Sequence, residues 1–197
     1  MLEVLSPAGS SDALVAAVQN GADAVYLGYG AFNARMNARN FTLEQLRQAV
    51  SYCHIRGVKV YLTLNTLVLD RELKSAAQVA LEAQNAGVDA ILVQDLGVLD
   101  AIRQVAPDMP IHASTQMSVH SLSGVKKAAE MGVRRVVLAR ELNREQIAEI
   151  CRESPIEIEV FVHGALCMCY SGQCAMSALI GQRSGNRGMC AQPCRLQ

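Results

Sequence analysis

Excess charge of either sign is missing from this 197-residue chain, in which Lys plus Arg and Asp plus Glu both number 18. A wholesale polyelectrolyte mode of nucleic-acid binding is thereby excluded, while a local basic patch is not. Also missing is any charge-free apolar run long enough for a membrane span. Aromatic residues are scarce at 4% and charged residues stand at 18%, but apolar residues reach 51%, too apolar a balance for disorder. The opening Met1-Leu2-Glu3-Val4 lacks the basic region, apolar stretch and small-residue cleavage site of a secretory signal, so a cytoplasmic location is expected. The length suits one domain that buries a continuous core without disulfides.

What is present is cysteine, seven in all. In a reducing compartment they point to buried thiols or metal ligands rather than to a disulfide scaffold. Cys53 and Cys151 stand alone, whereas Cys167, Cys169, Cys174, Cys190 and Cys194 crowd into the end of the chain.

The body alternates short apolar runs with amphipathic stretches. Strands are predicted at 3–5, 24–27, 58–64, 90–93, 111–113, 135–138 and 156–162, apolar almost throughout, as strands covered on both faces are. Thr42 with Gln45 and Asn143 with Gln146 have capping-box spacing and place helix starts. Leu43, Leu46, Val50 and Cys53 form one helical stripe and Ile147, Ile150 and Cys151 another, which assigns both isolated cysteines to packing. Gly21, Gly57, Gly87 and Gly132 each end a helical pattern before an apolar run, the place of a left-handed helix end. The predicted fold is therefore α/β, a TIM-like (β/α) barrel of seven visible units, with 1–163 as the barrel body and 164–197 as a Cys-rich segment of the same domain. An eight-stranded barrel typically needs about 250 residues. The eighth strand is expected from a missing C-terminal region or a partner chain.

Residues just after barrel strands face the open mouth. Here they are Ser6, Asn65 with Thr66, Gln94 with Asp95, Ser114 with Gln116, Arg140 with Glu141, and His163. Ser6 and Asp95 also suit simple helix caps. Arg140 follows an apolar run and needs an internal carboxylate or an anionic ligand. His163 suits acid–base work, a metal, or a plain structural position. Glu159, inside a strand, needs a partner that the sequence does not name. The segment Gly181 to Gly188 matches neither a P-loop nor a dinucleotide fingerprint, and reads as a cover over the metal site. Its Arg183 and Arg187, with Arg195, are the only local basic bias, compatible with RNA or an anionic small substrate.

Cys167 and Cys174 are separated by six residues and Cys190 and Cys194 by three. Four thiolates suit an iron–sulfur cluster or a structural zinc site, and the wide first spacing favours iron–sulfur. Cys169 is assigned to packing or a supporting position.

The run "EVFVHGALCMCYSGQCAMS", Glu159 to Ser177, closely resembles the signature of peptidase family U-32, the collagenase-like peptidases. The likeness extends to Asn186–Arg195 and to Ser6–Gly28. The resemblance implies a β/α barrel and, beyond peptidase activity, oxygen-independent hydroxylation of tRNA, rRNA or ubiquinone precursors. Prephenate is the implied oxygen source and a [4Fe-4S] cluster the implied cofactor. Carried over by position, its ligands are Cys167, Cys174, Cys190 and Cys194. The leading expectation is thus an RNA-modifying hydroxylase in which Arg140 holds a prephenate-like carboxylate, His163 handles protons, and Asn65 and Gln116 orient the substrate. A hydrolase is the competing expectation, with no "HExxH" helix and no nucleophile beside a base to support it. A cluster-bearing RNA-binding module is the third.

Overall fold

A computed structural model describes residues 2–34, 40–164 and 166–195. Met1 and, from the predicted Cys-rich segment, Ala165, Leu196 and Gln197 lie outside the described residues. Seven strands form one sheet in sequence order: β1 (Leu5–Pro7), β2 (Ala24–Gly28), β3 (Lys59–Leu64), β4 (Ala90–Val93), β5 (Ile111–Ala113), β6 (Arg135–Val137) and β7 (Glu157–Glu159). Every neighbouring pair is parallel. The crossovers are α1 (Ser11–Gln19), α2 (Leu43–His54), α3 (Asp70–Ala86), α4 (Leu96–Val105), α5 (Leu122–Glu130) and α6 (Arg144–Glu153). No pairing joins β7 to β1 among the described residues, so the sheet is a curled, open barrel one strand short of closure.

Local chemistry starts and stops the helices where the sequence says. Thr42 accepts from Gln45 N and Asn143 from Gln146 N, each as half of a reciprocal capping box. All four glycines predicted at helix ends have positive φ; Gly87, at φ 86°, is the C-cap of α3. The strands then divide by alternation. Val60, Leu62, Leu64, Ile91 and Val93 point outward into the main core against the helices, while Tyr61, Ala90, Leu92, Ala24 and Val137 form a smaller inner cluster.

Two expectations change. β7 ends at Glu159, not Val162; Val160, Phe161 and Val162 leave the sheet and are exposed, because β7 has β6 on one side and no strand on the other. Cys53 is core as expected, but Cys151 is exposed. It lies one residue past buried Ile150, about 100° round the helix and off the buried face of α6.

The interior's N-terminal end is polar. Arg135 is 7% exposed and reaches Glu3 at 2.6 Å, Glu157 at 2.6 Å and Glu159 at 3.4 Å. That supplies the partner Glu159 requires, although burial still pushes its carboxyl up against the pull of Arg135. For Glu3, burial raises the pKa, but hydrogen bonds from Arg135, Lys59 and Tyr61 outweigh it and hold the carboxyl at about 2. Burial, followed by the Arg135 charge, drives His112 down to about 3, so this ring is neutral at ordinary pH.

Candidate functional site

The C-terminal ends of the strands carry the site, and residues 166–195 fold back across them as a flap. Its short helix α7 (Met176–Gly181) is followed by single 3-10 turns at Gly185–Arg187 and Pro193–Arg195. The flap docks at two places. At the first, Ser171 is 1% exposed and serves as a hub between the β5 and β6 loops. Its N–H donates to Glu141 Oε1 at 3.0 Å, Arg140 Nε donates to its Oγ at 3.1 Å, and Ser118 Oγ donates to its carbonyl. Next to it Gly172, at φ 74°, lies so close to the backbone of Gln116 that a Cβ would overlap it. At the second, Leu67 N donates to Asn186 O at 3.0 Å, and Arg187 forks onto Glu72 at 2.7 and 2.9 Å. Within the flap, Arg195 Nη2 donates to Leu166 O at 2.7 Å, Arg183 Nε to Met189 O at 3.3 Å, and Ala191 N to Ser177 Oγ at 2.8 Å.

The tail's arginines all help to hold the flap, but only Arg187 is ion-paired. Arg187 is neutralised by Glu72, and all three arginines staple the segment, which makes the predicted cover a docked one.

Between flap and barrel opens a cavity of about 450 Å³ lined by Arg140, Glu141, Leu166, Cys167, Met168, Cys169 and Tyr170. Arg140 bonds through Nε to Ser171, and among the described residues no carboxylate forms an ion pair with it. Glu141, the nearest candidate, accepts from Ser171 instead. A guanidinium so placed offers its remaining N–H groups to an anion in the cavity.

The thiols share the flap. Cys169 and Cys174 are in hydrogen-bond contact, and burial, then Cys174 and more weakly Cys167, push the Cys169 thiol up. A methyl on Gly185 would meet Cys190 Cβ at 3.6 Å and the Cys174 carbonyl oxygen at 3.8 Å, so these two cysteines flank one glycine. Cys167 and Cys190 are exposed, as is Cys194 in the last 3-10 turn, and all are free thiols. Their chemistry fits a soft metal: they are free thiols gathered in one segment. Their arrangement is not a finished coordination sphere, since no three His, Cys, Asp or Glu side chains among the described residues close on a common point.

The remaining predicted residues separate. Asn65 Oδ1 accepts from Ala34 N at 3.0 Å and its Nδ2 donates to Ser114 Oγ at 3.2 Å, so both ends hold protein. Gln116 sits in the 3-10 turn after β5 with its side-chain oxygen buried and without a donor, as is that of Gln94. Asp95 caps α4, accepting from Gly97 and Val98. His163 is exposed, four residues past the end of β7, and is not among the residues that line the cavity. Sequence reasoning missed the Ser171–Gly172 clasp and the Arg187–Glu72 fork. The only signal for the clasp was its place between two cysteines of the signature.

Residues 9–197 match the model of peptidase family U32. The chain belongs to that family. Among U32 relatives, the 23S rRNA 5-hydroxycytidine C2501 synthase of Escherichia coli (strain K12) is 43% identical over 99% of this chain and 29% of its own length. The tRNA hydroxylation protein P1 of Bacillus subtilis (strain 168) is 39% identical over 98% of this chain and 46% of its own. This chain therefore spans less than half the length of those curated relatives. In three dimensions a solved U32 peptidase superposes with a TM-score of 0.67 at 15% identity, covering 81% of this chain and 68% of that one, a likeness of fold. No helix among the described residues is long and apolar enough to cross a membrane.

Proposed function

We propose that this U32 chain is the cluster-bearing barrel of an RNA-hydroxylating protein, with Cys167, Cys174, Cys190 and Cys194 holding a [4Fe-4S] cluster and Arg140 binding a carboxylate of an anionic oxygen donor such as prephenate. The observation that carries it is the cavity in which Arg140, free of any carboxylate ion pair among the described residues, faces Cys167 and Cys169. When bound, such a cluster supplies one-electron transfer next to the donor. The protein's own part is to hold the flap by Ser171 and Arg187, to fix the Arg140 fork through Nε, and to keep Glu141 turned from the anion by the Ser171 N–H. Metal binding by thiols carried on one docked segment is coupled to the ordering of that segment. The names of the two relatives support RNA as the substrate class. With zero net charge on this chain and Arg187 neutralised by Glu72, RNA is gripped at the mouth rather than along an extended phosphate track.

Peptidase activity, which the family's description names, finds less support. Among the described residues no histidine is hydrogen-bonded to a cysteine or to a serine hydroxyl; His54 pairs with Asp89, and His120 with the Ser118 carbonyl. The deciding experiment is anaerobic purification with iron, acid-labile sulfide and zinc assays, followed by calorimetric titration with prephenate. About four irons and four sulfides per chain and an Arg140→Ala loss of roughly 10-fold or more in donor affinity are expected. Stoichiometric zinc without sulfide, or unchanged donor affinity in Arg140→Ala, refutes the reading.

A further inference from the structure

We propose that Cys169 and Cys174 are a dithiol redox site, which in the cluster-free chain closes to a disulfide and withholds Cys174 from metal. The pair itself stands without the cluster reading above; its effect on metal loading rests on that reading. Gln173 N donates to Tyr170 O at 3.1 Å, the bond that closes a β-turn over 170–173. Gly172, at φ 74°, supplies the left-handed position in it. Cys169 and Cys174 flank this turn immediately on either side. Residues that flank a tight turn face one another as a cross-strand pair does, with Cα atoms about 4.5–5.5 Å apart, a separation that a disulfide spans. The side chains agree with the backbone, since the two thiols are in hydrogen-bond contact.

The turn is also held in place. Its two central residues are the clasp: Ser171 is 1% exposed and bonded to the β5 and β6 loops, and Gly172 lies against the backbone of Gln116. The chain between the thiols is therefore ordered before any bond forms, which removes most of the entropy cost of bringing them together. The other thiols are placed differently. Cys53 is core and Cys151 lies on α6, while Cys167, Cys190 and Cys194 are exposed and only Cys169 and Cys174 are half-buried. Cys190 Sγ accepts from Gln192 N at 3.4 Å.

Closure needs a two-electron oxidant, and a small disulfide such as oxidised glutathione supplies it. One thiolate attacks a glutathione sulfur, the first S–S bond breaks, and one glutathione thiol leaves. The second cysteine then attacks the mixed disulfide, forming the Cys169–Cys174 bond and releasing the second glutathione thiol. Two electrons and two protons have passed from the pair to two glutathione molecules. Metal is held by thiolates, and a sulfur tied up in a disulfide is not one. Oxidation thus takes one of the four assigned ligands, Cys174, and the residue that takes it, Cys169, is outside that set.

The test uses the full-length protein, purified anaerobically, stripped of metal by a chelator and treated with oxidised glutathione. Free thiols are alkylated and the tryptic peptides read by mass spectrometry. Cleavage after Arg152, Arg183 and Arg187 puts Cys167, Cys169 and Cys174 in one peptide and Cys190 with Cys194 in another. The expected product is a 153–183 peptide lighter by two hydrogens and alkylated only at Cys167, beside a 188–195 peptide alkylated at both thiols. The oxidised chain loses its uptake of iron and sulfide on reconstitution and regains it after dithiothreitol, whereas Cys169→Ser takes them up with or without the oxidant. A bridge that uses Cys167, one between Cys190 and Cys194, or three alkylated thiols in the 153–183 peptide overturns the pair and leaves the cluster reading standing. A bridged pair in a chain that takes up no iron when reduced overturns the cluster reading and with it the loading effect. Failure of reduced Cys169→Ser to load overturns the switch, because Cys169 is then itself a ligand.

Discussion

Gly172→Ala tests whether the flap is seated by backbone contact. The residue has φ 74°, and a Cβ there would overlap the carbonyl and Cα of Gln116. A non-glycine residue in the left-handed region costs roughly 1–2 kcal/mol, and an overlap with packed neighbours adds about 1–3 kcal/mol. Neither can be relieved by a side-chain rotation, because the opposing atoms are main chain. Lifting the flap relieves both, so about 2–5 kcal/mol is drawn from its docking equilibrium, or roughly 30- to 5,000-fold. Hydrogen exchange followed by mass spectrometry reads this directly. Peptides covering 166–175 and 185–195 exchange faster by that range, while peptides of β3 and β4 are unchanged. Gly185→Ala is the control: its Cβ would sit at 3.6 and 3.8 Å from its nearest neighbours, ordinary van der Waals contact. Wild-type flap exchange in Gly172→Ala, or equal acceleration in Gly185→Ala, refutes the reasoning.

Ser171→Ala leaves the glycine but removes the acceptor of Arg140 Nε, so prephenate affinity falls as the fork loses its aim, with the melting of the barrel body little changed. Glu72→Arg and Arg187→Glu each speed proteolysis of the flap, and the double exchange restores resistance; additive damage in the double variant argues against the fork. His112 has a folded pKa of about 3 and an ordinary value of 6.5, so below pH 6.5 the unfolded chain takes up a proton that the folded chain refuses. Stability therefore falls as pH drops, by about 2 kcal/mol between pH 6.5 and 5 from this group. Urea unfolding of His112→Gln shows a shallower pH slope over that window, and an identical slope contradicts the assignment.

Chain-local chemistry sufficed for the architecture. Apolar runs covered on both faces, two capping boxes and four helix-ending glycines announced a parallel (β/α) barrel because each depends on neighbours a few residues away. The same locality put Arg140 and Gln116 in the loops that follow β6 and β5, since a residue just past a barrel strand lies at its C-terminal end. Where a partner strand was needed, prediction failed. β7 stopped at Glu159 and left Val160, Phe161 and Val162 exposed, because pairing and burial depend on what lies beside the strand.

Only the tertiary structure decided which polar groups were free. Asn65 and Asp95 proved to be occupied, Gln94 and Gln116 to lack donors, Arg187 to be neutralised from 115 residues away, and Arg135 to gather Glu3 across 132 residues of chain. Residue type states what a side chain can bond to. Whether that capacity is already used depends on contacts between distant segments, and those exist only once the barrel has folded and the flap has closed over it.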